Sequence, residues 1–322
     1  MIFHINWVEG PLTRFVIVEK SELTDRITSF VLKPEDGSAL PAWTAGAHID
    51  LELGNPGARS YSLIEWPGDT SDVYRIAVQR EPEGDGGSIA VHELSAGDVI
   101  EVSEPKNSFE LVDGDEPVAL IAGGIGVTPL ISMATRLSAS GRPFSFHYTG
   151  RSAGVMACRE RLGESFSDQL TCYFDDQAPI DLHQTVEQIR DHRLYVCGPK
   201  GMIEAVRSAA EAAGIPSDKV HVELFTSAAP VEGDKPFEVE VSSSGDVFTI
   251  PPGRTIIEVL EENGVDLMYD CQRGDCGICQ TDVLEGVPDH RDVVLSEAEK
   301  ESGKVMQICV SRALSERLVL DL

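Results

Sequence analysis

The spacing of four cysteines near the C-terminus constrains the fold of this chain more than any other feature. Cys271, Cys276 and Cys279 form a C-x4-C-x2-C pattern, and Cys309 follows after 29 intervening residues. This is the ligand spacing of a plant-type [2Fe–2S] cluster, in which four thiolates hold two irons. The pattern therefore predicts a ferredoxin-like domain with these four residues as metal ligands.

Two other uses of cysteine fit this spacing less well. Structural zinc sites usually contain paired C-x2-C knuckles, and only one such pair, Cys276 and Cys279, is present. Disulfides are uncommon in a chain without an export signal, and no basic region followed by an apolar stretch opens this sequence. Gly274 and Gly277 lie between the cysteines, where the backbone has to pass close to a cluster without Cβ atoms in the way.

Short apolar runs fill residues 1–112 and are separated by Gly, Pro and Asp turn signals. Alternating and β-branched runs at such intervals predict an antiparallel β-barrel. One short helix is predicted to begin at Ser88, with that serine as its N-cap. The predicted strands are residues 15–18, 27–32, 49–53, 74–78 and 98–102.

The pattern of apolar residues changes in residues 113–226. Residues 118–122 form a continuous apolar run, as expected of a parallel strand buried on both faces. Further strands at 144–149 and 194–197 alternate with helical segments that end near residues 137 and 213. This alternation predicts a doubly wound α/β domain.

Residues 227–235 have no periodicity and are predicted to be a linker. The last section, residues 236–322, begins with a predicted hairpin of strands 237–241 and 246–250, followed by a predicted helix at 255–263. The predicted fold class is thus multidomain: an antiparallel β-barrel, a doubly wound parallel α/β sheet, and an α+β plant-type ferredoxin domain.

Two glycine-containing turns follow apolar strands of the predicted α/β domain. The stretch GGIGVTP at 123–129 stands where a strand becomes a helix, a junction that presents free N–H groups to a pyrophosphate. It departs from the ordinary G-x-G-x-x-G fingerprint, and alone such a turn is more often packing. The turn Cys-Gly-Pro at 197–199 also ends a strand, so both turns are expected at the ligand-binding edge of the sheet. The candidate cofactor-binding residues are Gly123, Gly124, Gly126, Thr128, Gly198 and Pro199, with Cys197 interpreted as a small apolar residue near the ligand.

A third candidate site lies in the predicted barrel, at the stretch RSYS of residues 59–62. An arginine for a phosphate, an aromatic ring and hydroxyl groups are what a flavin mononucleotide requires. A Gly-Gly-Ser stretch at 86–88 leads into the predicted short helix and offers a second phosphate cradle. In isolation these residues also fit an ordinary barrel strand and a turn. The candidates are Arg59, Ser60, Tyr61, Ser62, Gly86, Gly87 and Ser88.

In this order, the motifs resemble those of the phthalate dioxygenase reductase family, flavin- and iron–sulfur-containing reductases of Rieske-type oxygenases. The resemblance covers essentially the whole chain, including residues 105–109, 289–292 and 309–312, and looks close to the vanillate demethylase reductases. It implies a six-stranded flavin-binding barrel, an NADH-binding α/β domain and a β-grasp ferredoxin. The family lacks an adenosine-holding segment, which implies FMN rather than FAD.

The resemblance also implies roles for individual residues. Arg59, Tyr61 and Ser62 would line the flavin, with Ser88 near its phosphate. The residues implied at the hydride-transfer centre are Ser62, Thr128, Cys197 and Phe225.

Asp85 marks a departure from the family pattern. The family commonly shows Gly-Arg-Gly-Gly-Ser, in which the arginine helps to neutralise the flavin phosphate, and here that arginine is replaced by Asp85. A carboxylate beside a phosphate repels it, so Arg80 or Arg59 is expected to supply the positive charge, or Asp85 to point away.

The three predicted modules imply an electron relay. NADH donates two electrons together as a hydride, a [2Fe–2S] cluster accepts one at a time, and a flavin converts between the two. The predicted function is an NADH-dependent oxidoreductase that passes electrons from NADH to FMN, to [2Fe–2S] and to an external terminal oxygenase, a Rieske-type aromatic-ring dioxygenase or an O- or N-demethylase. A non-catalytic iron–sulfur carrier or redox sensor, and a reductase for another oxygenase class, remain open alternatives. The resemblance favours NADH, although Arg151 offers a cation for the 2′-phosphate of NADPH.

The charge of the chain restricts its partners. Its 26 Lys and Arg against 54 Asp and Glu give a formal net charge of −28, which argues against nucleic-acid binding. No apolar run is long enough for a transmembrane helix. Residues 236–322 contain 18 acidic and 7 basic side chains, a formal −11. We therefore expect an oxygenase partner that docks through a basic face. We also expect the protein to be a cytoplasmic monomer.

Overall fold

A computed structural model of the chain describes residues 11–70, 72–225, 231 and 233–322. Among these residues, no helix is both long enough and apolar enough to span a lipid bilayer. The chain divides into two compact units, Met1–His221 and Val222–Leu322.

The predicted linker at 227–235 lies mostly outside the described residues, as do residues 1–10. The boundaries expected at residues 112, 226 and 235 therefore stay predictions.

The first section of the chain forms a six-stranded antiparallel sheet. Its strands are β1 (Leu12–Thr24), β2 (Ile27–Pro34), β3 (His48–Glu52), β4 (Arg59–Ser62), β5 (Tyr74–Gln79) and β6 (Val99–Ser103). The strand order is β4-β3-β6-β1-β2-β5, and Ile64 N donates to Arg75 O at 2.8 Å where the two outer strands approach. Alternate residues such as Ile49 and Leu51 are almost completely buried inside this sheet. The predicted antiparallel barrel is confirmed.

The short helix α1 (Gly87–Glu93) begins differently from the prediction. Its N-cap is Gly86, whose φ of +83° lies in the left-handed region that glycine tolerates. Ser88 lies inside the helix, where its Oγ accepts a hydrogen bond from Glu81 N at 2.9 Å. The predicted Ser88 cap is wrong, because this hydroxyl holds the preceding loop instead of the helix end.

The second section forms a parallel sheet flanked by helices. Its strands are β7 (Val118–Gly123), β8 (Phe144–Gly150), β9 (Leu170–Phe174), β10 (Arg193–Cys197) and β11 (Val220–Glu223), and its helices are α2 (Val127–Ser140), α3 (Arg159–Ser165), α4 (Leu182–Gln188) and α5 (Lys200–Ala212). The strand order is β11-β10-β7-β8-β9, and β7 pairs in parallel with both β8 and β10. Every residue of β7 is buried, as the apolar run predicts. The order reverses between β7 and β10, which confirms a doubly wound sheet with its switch point there.

The C-terminal unit contains a mixed sheet and two helices. Its strands are β12 (Phe237–Val241), β13 (Val247–Ile250), β14 (Gln280–Glu285), β15 (Pro288–Asp289), β16 (Val305–Gln307), β17 (Arg312–Ala313) and β18 (Arg317–Leu320), and its helices are α6 (Ile256–Glu262) and α7 (Glu297–Ser302). The main sheet has the order β13-β12-β18-β14-β16, with the predicted hairpin at β12 and β13 and a parallel β12–β18 pair. Thr255 begins α6 through a capping box, since its side chain accepts from Glu258 N and Glu258 accepts from Thr255 N. This arrangement confirms the predicted α+β domain.

Candidate cofactor sites

The predicted ligand cysteines form two thiol pairs in the C-terminal unit. The sulfurs of Cys271 and Cys276 and a carboxylate oxygen of Asp275 lie within 4.8 Å of one another. Cys279 and Cys309 are 3 % and 2 % exposed, and their thiols are hydrogen-bonded to each other. Four soft sulfur donors on one loop and its neighbouring segment fit a [2Fe–2S] cluster.

Hydrogen bonds between the thiols separate their acidities. The bond from Cys271 lowers the pKa of Cys276 to about 7, and the same bond, together with burial, raises the pKa of Cys271 to about 12. In the second pair, the mutual hydrogen bond lowers the pKa of Cys279 and raises that of Cys309. Because cluster ligands have to be thiolates, assembly at this site has to displace protons held by Cys271 and Cys309.

Two glycines let the ligand loop pack against its neighbours. Gly274 and Gly277 both have a φ of +80°. A Cβ at Gly274 would lie 2.7 Å from Val310 Cγ2 and 3.1 Å from Asp292 Cα. Glycine at 274 is therefore required both by the backbone conformation and by the close approach of the segment that follows Cys309.

The sequence patterns gave no indication of a buried group of charges beside this loop. Arg273 Nη2 lies 3.7 Å from Glu223 Oε1, and Arg273 Nε lies 3.6 Å from Asp275 Oδ2. Asp275 Oδ2 also accepts a hydrogen bond from Leu224 N at 2.6 Å. Burial raises the pKa of Glu223 to about 8 and that of Asp275 to about 7, and Arg273 opposes both shifts. Asp275 is thus engaged as an anchor of the loop, and the role of the four thiols as cluster ligands stays a prediction.

Strand β4 presents the candidate flavin residues on two faces. Since side chains alternate along a strand, Arg59 and Tyr61 share one face and Ser60 and Ser62 the other. Burial raises the pKa of Tyr61 to about 12, so its hydroxyl stays a neutral donor. Ser60 Oγ donates to Asp50 Oδ1 at 2.6 Å. A ring bound on one face of β4 therefore meets the side chains of either Arg59 and Tyr61 or Ser60 and Ser62.

Arg59 lies against the second predicted flavin motif. A Cβ at Gly87 would lie 2.6 Å from both Cγ and Nε of Arg59, so any larger residue here would displace the Arg59 side chain from the start of α1. Arg59 Nη1 donates to Pro56 O and Ala58 O at 3.1 and 2.8 Å, which orients the guanidinium. A guanidinium beside the first turn of a helix suits a phosphate, so these residues fit the phosphate end of FMN.

The charges around this helix start favour Arg59 as the phosphate partner. Asp85 and Arg80 are both exposed, so water screens the Asp85 carboxylate. The backbone N–H of Arg80 donates to Arg26 O at 2.7 Å. No described contact brings the Arg80 side chain to Gly86 or Gly87, and its cofactor role stays a prediction.

The two predicted nucleotide turns press against each other at the carboxyl ends of β7 and β10. A Cβ at Gly126 would lie 2.3 Å from Cys197 O and 2.7 Å from Gly198 N, and a Cβ at Gly123 would lie 2.7 Å from Pro199 Cδ. These contacts occur at the switch point of the sheet, where doubly wound domains bind nucleotides. The structure thus brings together the two turns that the sequence separates by about 70 residues.

The residues expected at the hydride-transfer centre differ in burial. Cys197 and Thr128 are 0 % and 2 % exposed, and Thr128 Oγ1 donates to Ile125 O at 3.0 Å. Phe225 follows β11, belongs to the C-terminal unit and is 39 % exposed. The catalytic roles of these residues and of Ser62 stay predictions, as does the contact of Gly124, whose φ is +56°, with a nucleotide.

Known proteins resemble this chain over nearly its full length. Residues 239–314 match the family described as "2Fe-2S iron-sulfur cluster binding domain". The chain is 40 % identical to tetrachlorobenzoquinone reductase of Sphingobium chlorophenolicum over 99 % of each protein. It is 39 % identical to vanillate O-demethylase oxidoreductase of Pseudomonas putida, covering 95 % of this chain and 99 % of the relative.

A solved structure extends the similarity to the fold. Phthalate dioxygenase reductase, described as a modular structure for electron transfer from pyridine nucleotides to [2Fe–2S], is 36 % identical with a TM-score of 0.68, covering 97 % of this chain and 98 % of that one. Sequence identity and fold agree on one relationship. The chain is an oxidoreductase that belongs to the phthalate dioxygenase reductase family, and its C-terminal unit contains a [2Fe–2S] cluster-binding domain.

Proposed function

We propose that this chain is the NADH-dependent reductase component of an oxygenase system, passing electrons from NADH through FMN and [2Fe–2S] to an external Rieske-type terminal oxygenase. The observation that carries the proposal is that one chain combines a phosphate-suited Arg59–Gly87 contact, a nucleotide switch point and two thiol pairs on the cysteine loop and the segment at Cys309. The functions printed for phthalate dioxygenase reductase and vanillate O-demethylase oxidoreductase support it. We place the activity in the cytoplasm, where thiols stay reduced.

The residues of this chain act by binding and orienting. FMN, when bound, supplies the exchange between two-electron and one-electron chemistry. Arg59 offers a cation to its phosphate and Tyr61 offers a ring face. Gly126 lets the two nucleotide turns meet at the switch point. Hydride transfer depends on the position of the donor and acceptor atoms, so no acid–base pair is required.

Anaerobic addition of NADH tests the proposal. We expect the flavin and cluster absorbance bands both to bleach, and flavin released by denaturation to have the mass of FMN. A cluster that stays oxidised while the flavin is reduced would refute the relay. Purified protein with a cluster but no flavin would support the carrier alternative instead.

Cys309→Ser provides a matched control for the cluster step. Loss of one buried thiolate removes a cluster ligand in the C-terminal unit while leaving the N-terminal unit unchanged. We expect this variant to keep NADH-dependent reduction of its flavin and to lose reduction of cytochrome c, a one-electron acceptor. Undiminished cytochrome c reduction would show that electrons leave without the cluster.

A surface segment beside the cluster loop suits a basic acceptor. Asp266, Met268 and Asp270 all project to solvent, and Met268 is 79 % exposed. Ile278, between two ligand cysteines, is 48 % exposed. An apolar centre flanked by carboxylates matches an acceptor surface with an apolar patch and a basic rim. The alternate residues that pack against the domain core are Val265, Leu267 and Tyr269.

Met268→Ala tests this docking surface. We expect the reductase to dock as a monomer. Truncation of a contributing interface residue costs more than about 1 kcal/mol, so we expect kcat/KM for cytochrome c to fall about fivefold. NADH-dependent bleaching of the cofactors should not change. The control is Leu314→Ala, which truncates a residue that is 73 % exposed on another segment. Equal effects of the two variants would contradict docking at Met268.

A further inference from the structure

Three hydroxyl side chains line one face of α2, the helix that follows the first nucleotide turn. Thr128, Ser132 and Thr135 are spaced i, i+4 and i+7, which places them on the same face of the helix. They are 2 %, 0 % and 9 % exposed, so this polar face is buried. Buried hydroxyls require hydrogen-bond partners, and the identity of those partners indicates which segments this face of α2 holds together.

Two of these hydroxyls form hydrogen bonds with residues outside their own helix. A serine or threonine in a helix commonly bonds to a carbonyl one turn back, as Thr128 does with Ile125 O and Ser140 with Leu137 O. Ser132 Oγ instead donates to Leu63 O at 2.7 Å and accepts from Glu65 N at 2.9 Å.

Thr135 adds the third bond of the set. Its Oγ1 donates to Glu65 O at 2.7 Å, so both backbone polar groups of Glu65 are held by α2. The other side of this segment is held by the barrel, because Leu63 N donates to Ala47 O and Ile64 N to Arg75 O, both at 2.8 Å. Residues 63–65 are thus fixed between the barrel and α2.

The position of these bonds connects the two candidate sites of the N-terminal unit. Leu63 directly follows Ser62, the last residue of the candidate flavin strand β4. Ser132 lies one helical turn after Thr128, which belongs to the first nucleotide turn. A covalent and hydrogen-bonded route between Ser62 and Thr128 therefore runs through Leu63 O and Ser132.

We infer that Ser132 and Thr135 are positioning residues that fix the register of α2 along the end of β4 and thereby set the distance between the nicotinamide and flavin sites. This inference rests on the proposed function. The step concerned moves one hydride, a proton with two electrons, from C4 of NADH to N5 of the flavin, so NADH is oxidised to NAD+ and the flavin is reduced by two electrons. A misplacement of about 1 Å in such a step costs about 100-fold in rate.

The substitutions Thr135→Val and Thr135→Ser separate the effect of the hydroxyl hydrogen bond from the effect of side-chain packing. Valine keeps the shape and loses the bond to Glu65 O, whereas serine keeps the bond and loses a methyl group. We expect Thr135→Val to slow flavin reduction at saturating NADH about tenfold, a partial share of the loss expected for a full displacement. Thr135→Ser should retain most of the wild-type rate, and the dissociation constants for NADH and FMN should change less than about threefold in both.

Ser132→Ala removes two bonds, leaves Leu63 O and Glu65 N without partners, and should have a larger effect than Thr135→Val. Ser140→Ala is the control on the same helix, because its hydroxyl bonds only within α2. If Ser132→Ala does not fold, the two Thr135 variants decide the outcome.

A second readout needs no cofactor. Amide hydrogen exchange at Glu65 in the flavin-free protein should accelerate in Ser132→Ala and stay unchanged in Ser140→Ala.

Wild-type protein that fails to reduce its flavin with NADH would overturn the proposed function. Wild-type protein that does so, with Thr135→Val and Ser132→Ala equally fast, would overturn the positioning role alone. A Thr135→Ser variant as slow as Thr135→Val would also overturn it, since packing and not the hydroxyl would then control the rate.

Discussion

Gly126→Ala tests whether the two nucleotide turns meet as the structure describes. The φ of Gly126 is −60°, so alanine is compatible with its backbone conformation. The space is not available, because the new Cβ would lie 2.3 Å from Cys197 O and 2.4 Å from Cys197 C. Any effect of this substitution therefore comes from the steric clash with the Cys197 backbone and not from backbone strain at residue 126.

The size of the effect follows from these distances. A carbon and a carbonyl oxygen in contact are normally about 3.3 Å apart, so the turn before α2 and the end of β10 must separate by about 1 Å. Both surfaces are backbone, and no side-chain rotation relieves the clash. Overpacking costs about 1–3 kcal/mol, and we expect about 3 kcal/mol here. A shift of about 1 Å at the proposed nicotinamide site should reduce the rate of flavin reduction about 100-fold.

Stopped-flow reduction by NADH and urea denaturation measure both consequences. Gly201→Ala is the matched control, since Gly201 lies in the first turn of α5 and a Cβ there would meet no atom within 4 Å. We expect this control to keep the wild-type rate and to gain up to about 1 kcal/mol in stability. A Gly126→Ala protein with wild-type rate and unfolding midpoint would refute the close contact between the turns.

Three further predictions concern the cluster loop, acid stability and the acceptor. Gly274→Ala, which combines a φ of +80° with a clash at Val310, should prevent cluster incorporation measured by visible absorbance, whereas Gly245→Ala, with a φ of +77° and open space, should keep the cluster. Burial lowers the pKa of His147 to about 4, below its unfolded value of about 6.5, so the unfolded state binds the proton first as pH falls and stability is lost between these values. Urea denaturation at pH 7 and pH 5 measures how much free energy of unfolding is lost on acidification. After allowance for solvent screening, this loss should be about 1 kcal/mol smaller in His147→Gln than in wild type, and equal losses would contradict the prediction. Cytochrome c reduction should slow as salt rises from about 0.05 to about 0.5 M, and a rate independent of salt would argue against charge-assisted docking.

The sequence was sufficient for elements whose signal is local. The continuous apolar run of β7 indicated burial on both faces, and all six of its residues are buried. The cysteine spacing indicated a cluster domain, and residues 239–314 match such a family. Strand β9, whose residues are partly buried or exposed without regular alternation, gave no comparable signal and was not identified.

Features that depend on distant partners escaped the sequence analysis. Ser88 fits the preference of serine for an N-cap, but Gly86 takes the cap and the Ser88 hydroxyl bonds to Glu81 N. Arg273 and Asp275 were visible inside the cysteine loop, but their contacts with residues 223 and 224 connect positions about 50 apart in sequence. Composition and periodicity carry no information on such pairs.

The N-terminal unit uses two kinds of residue to set distances, and neither is reactive. Glycine at 126 removes volume, so the turns at the ends of β7 and β10 can touch. The hydroxyls of Ser132 and Thr135 fix how far α2 extends along the residues after β4. If the two turns touched but these hydrogen bonds were missing, α2 could slide along the residues after β4. If the hydrogen bonds were present but the turns did not touch, the ends of β7 and β10 would stay apart at the switch point. Because hydride transfer requires accurate placement and no proton shuttle, its rate in the proposed function depends on these small and hydroxyl side chains more than on any general acid or base of this unit.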